Sequence, residues 1–150
     1  MRTIIQRVER AEVRVDEEVV GRIGRGALLL VAIVQGDGEP EVRATAEKVG
    51  KLRFFPGRTP MDLNLHDIGG GVLVVSQFTL AGTLKKGNRP EFTNAAAPAD
   101  AERLYLRLAE LLREQGLVVA TGRFRAAMDV ELVNDGPVTF VLDAVAGAVV

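Results

Sequence analysis

Apolar positions recur at two different spacings along the chain, and the changes of spacing divide it into elements. Val13 and Val15 alternate with polar neighbours, the charged stretch Asp16-Glu17-Glu18 interrupts them, and Val19, Gly21 and Ile23 resume the pattern. Such alternation predicts a hairpin with one solvated face. Ala27 to Val34 is apolar without a break, short, and rich in Leu and Val, which predicts a strand covered on both faces. Pro40 then stands in a first helical turn, and Val42, Ala46 and Val49 follow at helical spacing up to about Leu52. A clearer helix opens at Pro98, carries Ala101, Leu104, Tyr105, Leu108, Leu111 and Leu112 on one stripe, and stops at Gly116. That stripe belongs to a core and not to a cofactor-binding face.

Between the helices, Gly69-Gly70-Gly71 leads into Val72 to Val75 and then into Ser76-Gln77-Phe78-Thr79-Leu80, a buried strand running out into polar residues. The glycine triplet precedes a strand, whereas phosphate-cradling loops follow one and open a helix, so phosphate binding there is not expected. Leu117 to Ala120, Met128 to Val133 and Val138 to Leu142 predict three more strands, the last two separated by Asn134-Asp135-Gly136-Pro137. This order predicts an α/β fold, a single domain over residues 1–150, with a mixed β-sheet in barrel-like layers and both helices packed on one side.

Composition narrows the chemistry. The chain has 150 residues, 47% hydrophobic and 26% charged, as expected of a soluble globular protein. No apolar stretch approaches the roughly 20 residues that span a bilayer, and Met1 to Arg10 lacks a signal-peptide core. No membrane contact and a cytosolic location are therefore expected. Cysteine is absent and His66 is the sole histidine, which removes thiolate chemistry and the usual zinc ligand sets; neither metal nor cofactor is expected. His66 falls in the loop Pro60 to Asp67 and reads as a surface or structural residue. The net charge of -1 supplies no field to hold a long nucleic acid, so any RNA contact must be local. Lys85, Lys86 and Arg89 form the basic cluster best suited to it, although a loop of this composition is usually just solvated.

Two stretches carry candidate chemistry. If Ser76-Gln77-Phe78-Thr79 stays extended, Ser76 and Phe78 face one way and Gln77 and Thr79 the other. Buried polar side chains there need partners, which either a site or the backbone of a loop would supply. In Asn134-Asp135-Gly136-Pro137-Val138-Thr139, Asp-Gly between apolar runs signals a hairpin turn, while the following proline removes a donor and makes the peptide a candidate for the cis form. Read alone, the segment is a turn.

Together these stretches resemble the signatures of the D-aminoacyl-tRNA deacylase family, also called D-tyrosyl-tRNA deacylase. The resemblance spans nearly the whole chain: Gln6-Arg7-Val8, Lys86-Gly87, Arg89-Pro90, Phe92, Ala95-Ala96, Pro98, Thr121-Gly122-Arg123-Phe124 and Met128 fit in order beside the two motifs. It implies a homodimer in which a cis Gly136-Pro137 peptide reaches into the partner's site, braced by Arg7. It further implies that Ser76, Gln77, Phe78 and Thr79 form the catalytic face, with Phe124 and Met128 around the terminal adenosine of an aminoacyl-tRNA 3′ end.

The activity so implied is hydrolysis of the ester between a D-amino acid, and glycine, and tRNA. If the carbonyls of Gly136 and Pro137 fix the α-amino group while a donor fixes the ester oxygen, the side-chain direction is set, and an L-residue collides with rigid backbone. Thr79 is a possible nucleophile but no base stands near it in sequence. The expected alternative uses the 2′-hydroxyl of the tRNA to activate water, with N–H groups near Phe78 and Thr79 holding the oxyanion. The chain departs from the family pattern at Arg125, where a small residue is usual, at Ala127, where aspartate is common, and at Asp62, where asparagine is common. A non-catalytic module that holds the aminoacyl-tRNA end and a small-ester esterase with Ser76 or Thr79 as nucleophile are the rival expectations.

Overall fold

A computed structural model describes all residues 1–150. Strands β1 (Arg2–Val15), β2 (Glu18–Ile23) and β3 (Gly26–Ala32) are followed by helices α1 (Glu39–Lys51) and α2 (Leu65–Ile68). Strand β4 (Gly71–Ser76), a 3-10 turn (Phe78–Ala81), helix α3 (Pro98–Glu114) and strands β5 (Val118–Thr121), β6 (Asp129–Val145) and β7 (Ala148–Val149) complete the chain. The sheet runs β5-β4-β3-β1-β6-β7, with β2 paired to β1. β3, β4 and β5 are parallel, whereas β1 is antiparallel to β2, β3 and β6. The mixed sheet curls into a half-barrel, and α1 and α3 pack together on one side of it, in agreement with the expected fold class.

The uninterrupted apolar run of β3 is explained by its two faces. Ala27, Leu29 and Val31 join Val72 and Val74 of β4 in a core capped by the helices. Leu28 joins Leu73 and Val75 in a second core on the opposite face, where β1 and β2 curl over the sheet with Val8, Ala11, Val13 and Ile23. A strand buried on both faces has no polar positions to alternate with. The helical stripe is also as expected: Leu104, Tyr105, Leu108, Leu111 and Leu112 are buried, and Gly116 takes φ +87 just past the helix end.

Two expectations need correction. Met128 to Val133 and Val138 to Leu142 are not two strands joined by a hairpin turn; apart from Met128, which precedes it, both belong to β6, which keeps its direction throughout. Asn134 pairs with Val8 and Thr139 with Gln6, so the longer β6 segment is extruded from the ladder opposite two steps of β1. Pro137 can donate no ladder hydrogen bond, and the Gly136–Pro137 peptide is cis. The extended geometry drawn through Ser76 to Thr79 also fails at its end, because β4 stops at Ser76 and the chain winds into the 3-10 turn. In addition β1 begins at Arg2, eleven residues before the alternation at Val13 becomes legible; bulges opposite β6 at Gln6/Val8 and Val8/Arg10 break its period.

Candidate active site

The parallel strands β3 and β4 end at a cavity of about 480 Å³, a size that suits a nucleoside. Open sheets bind ligands at the carboxyl ends of their strands, where chain direction leaves a crevice. Ile33 and Val75 come from these strand ends, Ala95, Ala96 and Ala101 from the approach to α3 and its first turns, and Phe124, Met128 and Val130 from beyond β5. The lining is mostly apolar. Ser76, Gln77 and Phe78 contribute its polar and aromatic edge.

Phe78 is 55% exposed, a conspicuous position for a phenylalanine, and its ring meets Phe92 edge-on at 5.1 Å. Thr79 does not line the cavity, but Gln77 Nε2 donates to its Oγ1, tying it to the cavity edge. Phe78 and Thr79 open the 3-10 turn, whose first N–H groups have no partner within it, and no side chain caps them. They are therefore free to meet an oxyanion. His66 lies elsewhere, exposed in a shallow depression of about 650 Å³ among charged side chains of α1 and α3, such as Arg43, Glu47 and Glu114.

Phe124 and Met128 reach the cavity because α3 is fastened to the sheet beneath it. Tyr105 Oη donates to the Val74 carbonyl at 3.2 Å and lies 3.5 Å from that of Gly122, and its ring stacks on Phe124 at 6.0 Å. Burial raises the Tyr105 pKa, keeping it a neutral donor. Thr83 and Glu91 form an antiparallel bridge at the base of the loop carrying Lys85, Lys86 and Arg89. With Phe92 against Phe78, that exposed basic loop stands beside the cavity.

Gly136 and Pro137 are exposed and do not line the cavity of their own chain. Arg7 sits behind them, largely buried: its Nε donates to the Asp135 carbonyl at 3.1 Å and its Nη1 to that of Phe54 at 2.7 Å. Asp135 Oδ2 lies 3.1 Å from the same Nε. Asn134 Nδ2 closes the neck of the extruded loop by donating to the Val138 carbonyl at 3.1 Å. Gly136 adopts φ +145, and a Cβ there would fall 2.6 Å from the Val138 nitrogen, so only glycine fits. The clasping role of Asn134 is not evident from sequence reasoning, although an asparagine two residues before a glycine is a recognisable loop signal. Of the three departures, only Arg125 lines the cavity; Asp62 is held by Arg53 and by the Arg58 N–H away from it.

The model of one family, described as D-Tyr-tRNA(Tyr) deacylase, matches residues 4–143. The chain belongs to the D-Tyr-tRNA(Tyr) deacylase family. Its relatives include the D-aminoacyl-tRNA deacylases of Anaeromyxobacter dehalogenans, 53% identical over 96% of this chain and 97% of that protein, and of Paracoccus denitrificans, 54% identical over the same shares. The solved structure of a protein named c-Myc DNA Unwinding Element Binding Protein superimposes with a TM-score of 0.91 at 36% identity, covering 97% of this chain and 100% of that one. A probable eukaryotic D-amino acid tRNA deacylase shares the fold, with a TM-score of 0.78 at 19% identity over 93% and 97%. In this deacylase family member the motif residues thus form two separate groups within one chain: Ser76 to Thr79 with Phe124 and Met128, and Arg7 with Asn134 to Val138.

Proposed function

We propose that this chain, acting as one deacylase domain over residues 1–150, hydrolyses the ester between a D-amino acid, or glycine, and the 3′-terminal adenosine of tRNA, and so proofreads chirality in translation. The observation that carries the reading is the nucleoside-sized cavity with Ser76-Gln77-Phe78 on its edge, in a chain of this family. The apolar walls at Phe124 and Met128 take the terminal adenosine, which leaves the ester at the edge, beside the opening N–H groups of the 3-10 turn. A substrate of this kind places the protein in the cytosol, where translation occurs.

The two groups of residues act together in a twofold homodimer, with Gly136 and Pro137 of the partner subunit entering the cavity. Supporting this, the loop projects outward from β6, and the same strand exposes Val141 and Val145, apolar side chains that an interface would cover. Carbonyl oxygens of the inserted loop hold the α-ammonium group. With that group and the ester oxygen both fixed, a D side chain points out and an L side chain meets backbone that no rotamer change can move. Glycine, with no side chain to exclude, is also hydrolysed.

In the reaction, water adds to the ester carbonyl and the tetrahedral oxyanion accepts hydrogen bonds from the N–H groups at Phe78 and Thr79. The bond to the ribose oxygen then breaks, and that oxygen takes a proton to give free tRNA and the D-amino acid. The 2′-hydroxyl of the adenosine orients and activates the water. Gln77 holds the Thr79 hydroxyl, and no imidazole lines this cavity, which disfavours a threonine nucleophile.

Matched D- and L-tyrosyl-tRNA, incubated with the protein and followed for ester loss, test the reading: rapid loss of the D ester alone is expected. Equal loss of both, or binding without turnover, would sink it. A DNA-binding role, of the kind named for one structural relative, predicts retention of duplex DNA at physiological salt, which a net charge of -1 does not favour.

A further inference from the structure

Arg125 is the place in the cavity wall where side chain and backbone conflict. Residues 123 to 126 form a tight turn in which the Ala126 N–H donates to the Arg123 carbonyl at 3.2 Å. Arg125, third in the turn, lies at φ +63, a left-handed conformation that glycine adopts freely and a long side chain does not. Its guanidinium returns nothing to the fold. Arg2, Arg14, Arg22, Arg53 and Arg107 each hold a carboxylate, whereas the guanidinium of Arg125, like those of Arg25, Arg58, Arg89 and Arg123, has no hydrogen bond or ion pair, and of these five only Arg125 lines the cavity. It stands there next to Phe124 and Ala126, open to solvent.

An unpaired guanidinium on the rim of an apolar cavity is built for a planar or tetrahedral oxyanion group outside the protein. The aminoacylated end of a tRNA carries a protonated amine, an ester and a neutral nucleoside; its only anions are phosphates. The phosphate nearest the cavity joins the terminal adenosine to the preceding nucleotide, and with base and sugar between the apolar walls it emerges at the rim. We propose, resting on the deacylase reading, that Arg125 binds this phosphate and makes the enzyme of this chain prefer an ester on a polynucleotide end over the same ester on a bare nucleoside. The strained backbone is retained because the side chain serves substrate and not the turn.

The test compares 3′-O-(D-tyrosyl)adenosine with its 5′-monophosphate, measuring kcat and KM for the wild type, Arg125→Gly and Arg125→Lys. The wild type should favour the phosphorylated ester about tenfold in kcat/KM, chiefly through KM, as one charge-assisted hydrogen-bonded pair supplies. In Arg125→Gly the two substrates should converge, while Arg125→Lys should keep part of the preference. On full-length D-tyrosyl-tRNA, the slope of log kcat/KM against log salt should become shallower by about one phosphate contact in Arg125→Gly. That variant should melt no lower than the wild type, since glycine suits the turn, so lost affinity cannot reflect a damaged fold. A full phosphate preference and an unchanged salt slope in Arg125→Gly, or no preference in the wild type, would overturn the role of Arg125 and leave the deacylase reading standing. A folded wild type that cleaves no D ester at all would instead remove the reading on which it rests.

Discussion

Asn134 and Arg7 are locked to each other across the neck of the extruded loop: Asn134 Nδ2 donates to the Arg7 carbonyl oxygen at 2.8 Å, while the Arg7 side chain donates to the carbonyl of Asp135 one residue on. Side chain and backbone are thus exchanged in both directions between β1 and β6. The loop at Gly136 and Pro137 is held from behind by Arg7 and Asn134.

Removing that clasp should reduce activity through geometry. Asn134→Ala leaves the carbonyls of Arg7 and Val138 without their side-chain donor, at a cost of about 1 to 3 kcal/mol. The loop then loses its fixed aim, and a displacement of about 1 Å at reacting groups costs on the order of a hundredfold in rate. A fall of at least tenfold in kcat/KM for D-tyrosyl-tRNA is expected while circular dichroism remains native. Wild-type turnover by a folded Asn134→Ala protein would show that the loop needs no clasp.

The oxyanion scheme ranks two changes against each other. Thr79→Ala removes a hydroxyl that Gln77 already engages and keeps the backbone N–H, so the rate should drop modestly, by about tenfold or less. D-tyrosyl-tRNA ending in 2′-deoxyadenosine lacks the group that activates water and should be nearly inert. If single-turnover rates come out in the reverse order, the threonine hydroxyl is the nucleophile after all.

Elements with a strong local period were legible in sequence, and features assembled from distant residues were not. The stripe from Ala101 to Leu112 and the apolar run of β3 state their environments directly. The first half of β1 does not, because two bulges break its alternation and Arg7 and Val8 are buried side by side. Asp135-Gly136 carries every local mark of a reversal, yet both flanks of the loop pair with β1, a constraint that lies far away in the chain. The motif at Ser76 to Thr79 was visible, but not its winding at Phe78. Local pattern could not assemble the cavity, since its walls run from Ile33 to Val130; only the family resemblance brought Ser76, Gln77, Phe78, Phe124 and Met128 together. Arg125 stood out only as a residue of the wrong size.

Thr3 offers a test of the helix-side core independent of catalysis. Its residue is fully buried and its Oγ1 has no hydrogen-bond partner, so folding strips water from a hydroxyl and returns nothing. Thr3→Val keeps the branched shape and the strand preference while removing that polar atom. Stabilisation of about 1 kcal/mol is expected, roughly 3 °C in Tm for a chain of this size. A lower Tm would mean that the hydroxyl has a partner in solution.

Glu41 links stability to pH with a definite sign. Its carboxylate accepts from the Gly38 N–H at 2.8 Å, in the cap of α1, and from the Gly147 N–H at 2.7 Å, in the turn between β6 and β7. The Gly38 bond foremost, aided by that of Gly147, holds the Glu41 pKa below its ordinary value against the opposing effect of desolvation. A carboxyl whose folded pKa is depressed contributes stability above its unfolded pKa and loses it as pH falls through the folded one. Glu41→Gln retains one acceptor oxygen but no charge, so the wild type should exceed it in stability at pH 7. The gap should begin to narrow as pH falls through the ordinary glutamate range, about 4.3, and vanish once the pH has passed below the depressed folded pKa. Taking the difference between the two proteins cancels carboxylates common to both, among them Asp143 beside Arg2. Chemical denaturation at several pH values measures it, and a gap that stays constant down to pH 3 would show that the charge on Glu41 adds nothing to the junction of α1 with the β6–β7 turn.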